Sequence, residues 1–173
     1  MNRGRPFDRR QVLAALAGLA AGPAHAEWQA GSGRPLAFSV QDRDGRDHSG
    51  PALLGRLTLV HFWASWCVSC REEFPALQAL QAGMGGEGLR VLAISLDRLG
   101  WPAIDRTVEA LGISGLALYH DRNRDAARAL SVAALPTTLV VDASGRERWR
   151  HAGTVDWALP EVRARLKAGL AGA

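Results

Sequence analysis

Residues Leu57 to Cys70 read LTLVHFWASWCVSC, and no other stretch restricts the fold as tightly. Leu57 to Ala64 form a continuous apolar run, the kind that becomes a strand buried on both faces of a parallel sheet. Cys67 and Cys70, the only cysteines among 173 residues, follow where a helix is predicted to begin, running from Cys67 to about Ala82. A strand without a polar face must be covered on both sides, so helices are expected on both faces of a central sheet.

The flanking sequence supplies the other elements. "FSVQDRDGRDH" predicts a hairpin turning at Asp44-Gly45, and "LRVLAISL" predicts a second buried strand after the Gly-rich turn "GMGGEG". "WPAIDRTVEALG" predicts a helix with Pro102 in its first turn and an end at Gly112, followed by the strand "GLALYH" and the short helix "RNRDAARAL". "TTLVVDASGRERWRHAG" predicts a hairpin at Ser144-Gly145, and "DWALPEVRARLKAGL" a closing amphipathic helix. Strands alternating with helices and ending in a hairpin give an α/β class with a central mixed sheet, in one domain over residues 27–173.

Residues 1–26 stand apart from that domain. Arg3, Arg5, Arg9 and Arg10 precede the apolar run "QVLAALAGLAAG", and Ala24-His25-Ala26 is a small-residue cleavage pattern. An export signal cut after Ala26 and a periplasmic location are therefore expected, an uncleaved signal acting as membrane anchor being the alternative. The apolar run falls short of the roughly 20 residues a spanning helix needs. Arg9-Arg10 ahead of Gln11-Val12-Leu13 also resembles a twin-arginine export signal. The formal charge of +4 mostly leaves with this segment, which lowers 21 basic and 17 acidic side chains to 17 and 16. No basic run interleaved with aromatics remains, so a nucleic-acid partner gains no support.

Cysteines in an oxidising compartment usually become structural disulfides. A bridge over two intervening residues closes too short a loop to remove much chain entropy. Structural zinc usually wants four ligands, and no second Cys-x-x-Cys or His-x-His pair is present. A redox-active pair fits better. At the start of a helix, unpaired N–H groups and the dipole favour an anion, which makes Cys67 the predicted attacking thiolate. Cys70, three residues on and deeper, is the predicted resolving thiol.

"FWASWCVSC", with Pro75 eight positions after Cys67 and "LPTT" around Pro136, resembles thioredoxin. "DRDGR", "LVHFWASWC", "CREEFP", "LPTTLVVDASGR" and "GTVDWALPEV", in that order, resemble the TlpA/ResA/CcmG branch of exported thioredoxins over nearly all of residues 36–165. The resemblance implies a thioredoxin-like fold and thiol–disulfide exchange without a cofactor or a stably bound metal. Its implied partners are disulfide-containing exported proteins, such as apocytochrome c with its haem-attachment cysteines or proteins with copper-site cysteines. A membrane thiol reductase is the implied electron donor. It further implies a cis peptide at Leu135-Pro136, in a loop whose backbone pairs with the partner peptide. Trp66 would be an exposed apolar wall of the same groove, ordinary core packing being its alternative. Glu73, one turn beyond Cys70, is implied as proton partner of the thiols, against a solvated helix carboxylate such as Glu72.

The chain departs from that pattern in two places. Val68-Ser69 stand between the cysteines where relatives commonly have a proline, which leaves reducing strength open. His61, six residues before Cys67, occupies the place of thioredoxin's buried aspartate. It reads either as a core histidine bonded to backbone or as a group that favours thiolates when protonated and relays a proton when neutral. The rival function is copper delivery on the same scaffold. Copper carriers of that type space their cysteines by three residues and add a distal histidine, for which His120 is the nearest candidate. A peroxiredoxin reading lacks the threonine upstream of a single cysteine.

Overall fold

The computed structural model describes residues 28–172, so the export-signal reading of residues 1–26 lies outside the described residues. The strands are β1 (Gln29–Ala30), β2 (Ser39–Gln41), β3 (Asp47–Ser49), β4 (Leu57–Trp63), β5 (Leu89–Ser95), β6 (Ala117–His120), β7 (Thr137–Asp142) and β8 (Glu147–Ala152). The helices are α1 (Val68–Met84), α2 (Trp101–Ala110), α3 (Asp125–Ala129) and α4 (Pro160–Ala171). All strands join one sheet in the order β1-β8-β7-β4-β5-β6-β2-β3. β4, β5 and β6 run parallel, while β7, β8, β1 and the β2-β3 hairpin attach antiparallel. No helix among the described residues is long and apolar enough to cross a membrane.

Every residue of β4 is buried. Alternation sends its side chains to opposite faces. Val60 and Phe62 pack with Leu92, Ile94, Leu139 and Val141 under Ala126 and Ala127 of α3. Leu57 and Leu59 pack with Leu77 and Leu80 of α1 and with Val162, Leu166 and Leu170 of α4. Farther along that second face, Trp63 packs with Cys67, Cys70, Phe74 and Ile104 of α2. Helices thus cover both faces, unequally: α1, α2 and α4 lie on one, and the five-residue α3 on the other. Burying one side chain of this size contributes about 1.5–3 kcal/mol, so β4 anchors both layers.

α1 buries Cys70, Glu73, Phe74, Leu77, Leu80 and Met84, which recur at helical spacing along one stripe. Pro75 sits inside the helix but is exposed, so its missing N–H lies on the solvent side. α1 runs two residues past the expected end and passes into a 3-10 turn at Gly85–Glu87. Gly88, at φ 102°, then closes the turn into β5.

Two hairpins share one turn. In Asp42-Arg43-Asp44-Gly45-Arg46 the Asp42 carboxylate accepts the backbone N–H groups of Asp44 and Arg46. In Asp142-Ala143-Ser144-Gly145-Arg146 the Asp142 carboxylate accepts those of Ser144 and Arg146. Gly45 and Gly145 both stand at φ 78°, a conformation that favours glycine. β1 is an addition to the elements expected from sequence: two residues pairing antiparallel with Trp149 and Arg150 of β8.

Candidate functional site

Cys67 and Cys70 are joined by a disulfide, with S–S 2.02 Å and Cα–Cα 5.3 Å. Cys67 is the N-cap of α1, one residue short of the first turn expected from sequence, and its Sγ accepts the Cys70 backbone N–H at 3.3 Å. The Ser69 hydroxyl lies 3.6 Å from the same sulfur. A thiolate at Cys67 would therefore meet an amide, a hydroxyl and the positive end of a helix. Cys67 is 7% exposed and Cys70 fully enclosed. The bulk of the enclosure comes from Trp63, Phe74 and Ile104, with Leu135 packed against the same cluster.

Leu135-Pro136 is a cis peptide. Pro136 is buried, and its carbonyl accepts the Gly153 N–H at 2.8 Å, which ties the loop to the end of β8. Trp66 is exposed rather than packed in the core.

Glu73 is buried on the stripe that carries Cys70. Its Oε1 accepts the Val155 N–H at 2.9 Å and the Trp157 indole N–H at 2.8 Å, whereas Oε2 is enclosed without a partner. Burial pushes its pKa up to about 7, against the pull of those two donors. A carboxyl so placed exchanges a proton near neutral pH.

His61 is buried and bonded through Nδ1 to the Thr138 hydroxyl at 2.9 Å, and its ring stands edge-on to Phe74. The backbone partner expected for it is replaced by Thr138, its register neighbour on β7. Burial holds its pKa down at about 3. The imidazole is therefore neutral, and the thiolate-favouring cation considered from sequence does not form. His120 is also buried, with Nε2 bonded to the Asp97 carbonyl at 2.8 Å. Among the described residues no group of three or more His, Cys, Asp or Glu side chains is placed to hold a metal ion.

One buried carboxylate escaped the sequence reading. Asp97 accepts hydrogen bonds from the Ser65 N–H at 2.9 Å, the Ser65 hydroxyl at 2.5 Å and the Ser95 hydroxyl at 2.6 Å. Asp97 follows β5, and Ser65 precedes Trp66 and Cys67, so this carboxylate fastens the turn that presents the disulfide. The available signal was Ser95-Leu96-Asp97, polar residues closing an apolar strand opposite a serine beside the cysteine.

Residues 33–150 match the AhpC/TSA family. The chain belongs to that family. Among curated proteins it is similar to the thiol-disulfide oxidoreductase ResA of Geobacillus thermodenitrificans, 28% identical over 68% of this chain and 67% of that one. It is also similar to the thiol:disulfide interchange protein DsbE of Xylella fastidiosa, 34% identical over 62% of this chain and 53% of that one. The chain thus spans from half to two thirds of these relatives. Its fold is that of a protein from Chlorobium tepidum described as a DsbE thiol:disulfide interchange protein, with TM-score 0.72 and 23% identity over 82% of this chain and 98% of that one.

Two predictions come from this geometry. Asp97→Asn places an amide donor against serine donors and is expected to cost about 1.5–3 kcal/mol, the range for hydrogen bonds to a charged group. The check is chemical denaturation together with hydrogen exchange at the Ser65 amide, which should accelerate selectively; unchanged exchange there would remove Asp97 from its positioning role. For Glu73 the folded pKa of about 7 lies above the ordinary 4.5. Its contribution is therefore fully present below about pH 4.5 and lost as pH rises through about 7. Relative to Glu73→Gln, the parent should lose up to about 3 kcal/mol between those limits. Parallel denaturation curves of the two oxidised proteins from pH 4 to 8 measure that slope.

Proposed function

We propose that this thiol-disulfide oxidoreductase works outside the cytoplasm as a reductant of disulfides in exported partner proteins, cycling Cys67 and Cys70 between dithiol and disulfide. The observation that carries the reading is the unequal setting of the two sulfurs. Cys67 lies at the helix start with donors around it, while Cys70 is sealed one turn from a carboxyl of near-neutral pKa. The leader pattern of residues 1–26 supports export.

In the reduced protein, Cys67 is the thiolate and attacks one sulfur of the partner disulfide. The partner's other sulfur leaves as a thiolate and takes up a proton, and a Cys67–partner mixed disulfide results. Cys70 passes its proton to Glu73, attacks Cys67 Sγ, closes the Cys67–Cys70 disulfide and expels the partner's second thiolate. Two electrons have then moved to the partner. A membrane thiol reductase restores the dithiol by the same exchange in reverse. Leu135 packs against the cluster that holds the two sulfurs, and together with Trp66 and Pro136 it holds the partner segment, while neutral His61 supports the sheet beneath them. Cysteine pairs that receive haem or copper are the partner class that the TlpA-like resemblance favours.

Cys70→Ser is expected to accumulate mixed disulfides through Cys67, because the expelling thiol is gone while the nucleophile remains. Non-reducing gels of exported extracts should show new high-mass bands with Cys70→Ser and none with Cys67→Ser; the reverse pattern would exchange the two roles. A reduction potential near thioredoxin's, about −270 mV, would place the protein among reductants, whereas one near −120 mV would make it an oxidant.

Glu73→Gln removes both the charge and the base. The apparent thiol pKa values should fall, as a nearby negative charge no longer opposes the thiolates, while resolution slows by about 10²-fold. Alkylation rate against pH reports the first effect and stopped-flow reduction of a disulfide peptide the second. Parent-like behaviour in both would leave Glu73 outside the chemistry.

A further inference from the structure

The disulfide end of the molecule differs from the rest of its surface. Among the described residues five large apolar side chains are exposed: Trp66, Val68, Leu99, Leu111 and Leu159. Val68 opens α1 beside Cys67, and Trp66, Leu99 and Leu111 share one groove. Trp66 is 65% and Leu99 73% exposed, although each is separated by a few residues from fully buried chain. The groove holds about 330 Å³ between the Ser65-Trp66 turn, the start of α1 and the face of α2, and Arg71 and Arg106 are the charged side chains in its lining. The turn beneath it is held by Asp97, so its apolar wall is a fixed feature.

The two arginines set the chemistry of an occupant. Arg43, Arg128 and Arg150 are paired with Asp105, Asp125 and Glu147. Arg71 and Arg106, like several arginines elsewhere on the surface, have no acidic partner among the described residues, and these two line the groove. Arg71 Nε is in addition shut off from solvent without a hydrogen-bond acceptor. A partly desolvated, unpaired guanidinium at the edge of an apolar groove complements a carboxylate carried next to an apolar side chain. Contiguous exposed apolar surface with a charged rim is characteristic of a protein-binding site.

We propose that this groove is a docking subsite for the partner protein, taking a segment beside the target disulfide that carries an apolar side chain and an Asp or Glu. The apolar side chain lies against Trp66, Leu99 and Leu111, and the carboxylate pairs with Arg71 and Arg106. The proposal rests on the reading of the chain as a disulfide reductase, because the groove opens beside Cys67. It adds selectivity to that reading: disulfides in acidic, apolar surroundings are preferred over those in basic ones.

The test uses the reduced protein and two synthetic peptides of equal length. Each holds one intramolecular disulfide flanked by leucine, and they differ only in carrying two Glu or two Lys next to it. The readout is the ratio of kcat/KM for the Glu peptide to that for the Lys peptide, which cancels any effect of a substitution on the thiols themselves. The parent should favour the Glu peptide by about 10-fold at low salt, less as ionic strength screens the charges. Arg71→Gln with Arg106→Gln should bring the ratio close to one. Arg106→Gln alone, on the exposed side of α2, should give part of that fall without endangering the fold. A parent ratio near one overturns the proposal. So does a double variant that slows both peptides equally with the ratio intact, since the arginines would then act on the thiols. Sedimentation velocity should show a monomer; a dimer dissociated by Leu99→Ser would make the groove a contact between copies and also overturn it. Hydroxyethyl disulfide, small and neutral, separates the two readings. If the parent reduces it while the peptide ratio is one, the subsite alone fails; if the parent does not reduce it, the reductase reading fails too.

Discussion

The architecture depends on the burial of β4. With all seven residues enclosed, the strand cannot sit at an edge or leave a face uncovered. It therefore lies between β5 on one side and β7 on the other, with a helical layer on each face. The consequence for the site is geometric. Trp63 and Ser95 are register partners where β4 and β5 end, so the segments leading to Cys67 and to Asp97 leave the sheet side by side. The Leu96 N–H to Trp63 carbonyl bond, 2.9 Å, extends that pairing past the strands, and Asp97 then fastens Ser65. β7 runs the other way, so its first residue, Thr137, sits opposite Phe62 at the same edge and brings Leu135-Pro136 with it. One strand direction and one reversal thus gather disulfide, carboxylate and proline loop at the carboxyl ends of the parallel strands, where open α/β sheets ordinarily bind ligands.

What was legible in the sequence was local. The apolar run of β4, the helix expected from Cys67 to about Ala82 and the hairpin turns at Asp44-Gly45 and Ser144-Gly145 each depend on residues within a few positions of one another, and each is an element of the structure, the helix ending two residues later than expected. The thiol pair was equally plain because two residues separate its members. What could not be read joins distant positions. Ser65 and Asp97 are 32 residues apart, His61 and Thr138 are 77, and Glu73 reaches Val155 and Trp157 across 82 and 84. No periodicity encodes such hydrogen bonds; they exist only once the sheet has brought the segments together. β1 was missed for a related reason, since two residues at a sheet edge carry no pattern of their own and are strand only because β8 is beside them.

Two of the buried carboxylates at this edge, Asp97 and Glu73, are handled in opposite ways, and the difference fits different tasks. Asp97 receives three hydrogen bonds from two serines, one of them a backbone amide, and so acts as a fixed tether for the turn before Cys67. Glu73 receives both of its bonds on Oε1, and no donor meets the buried Oε2. A proton can therefore join or leave Oε2 while the bonds from Val155 and Trp157 hold the side chain in place. Burial favours the neutral acid and the two donors favour the anion, and the balance falls near pH 7 rather than at either extreme. Had both oxygens been paired with donors, the carboxylate would hold its charge and serve only as structure. Had neither been, burial alone would keep it protonated and it could not accept from Cys70. In the proposed exchange, half-satisfaction is the condition under which a carboxyl one turn from a buried thiol would take its proton and later release it without disturbing α1 or the loop that leads to α4.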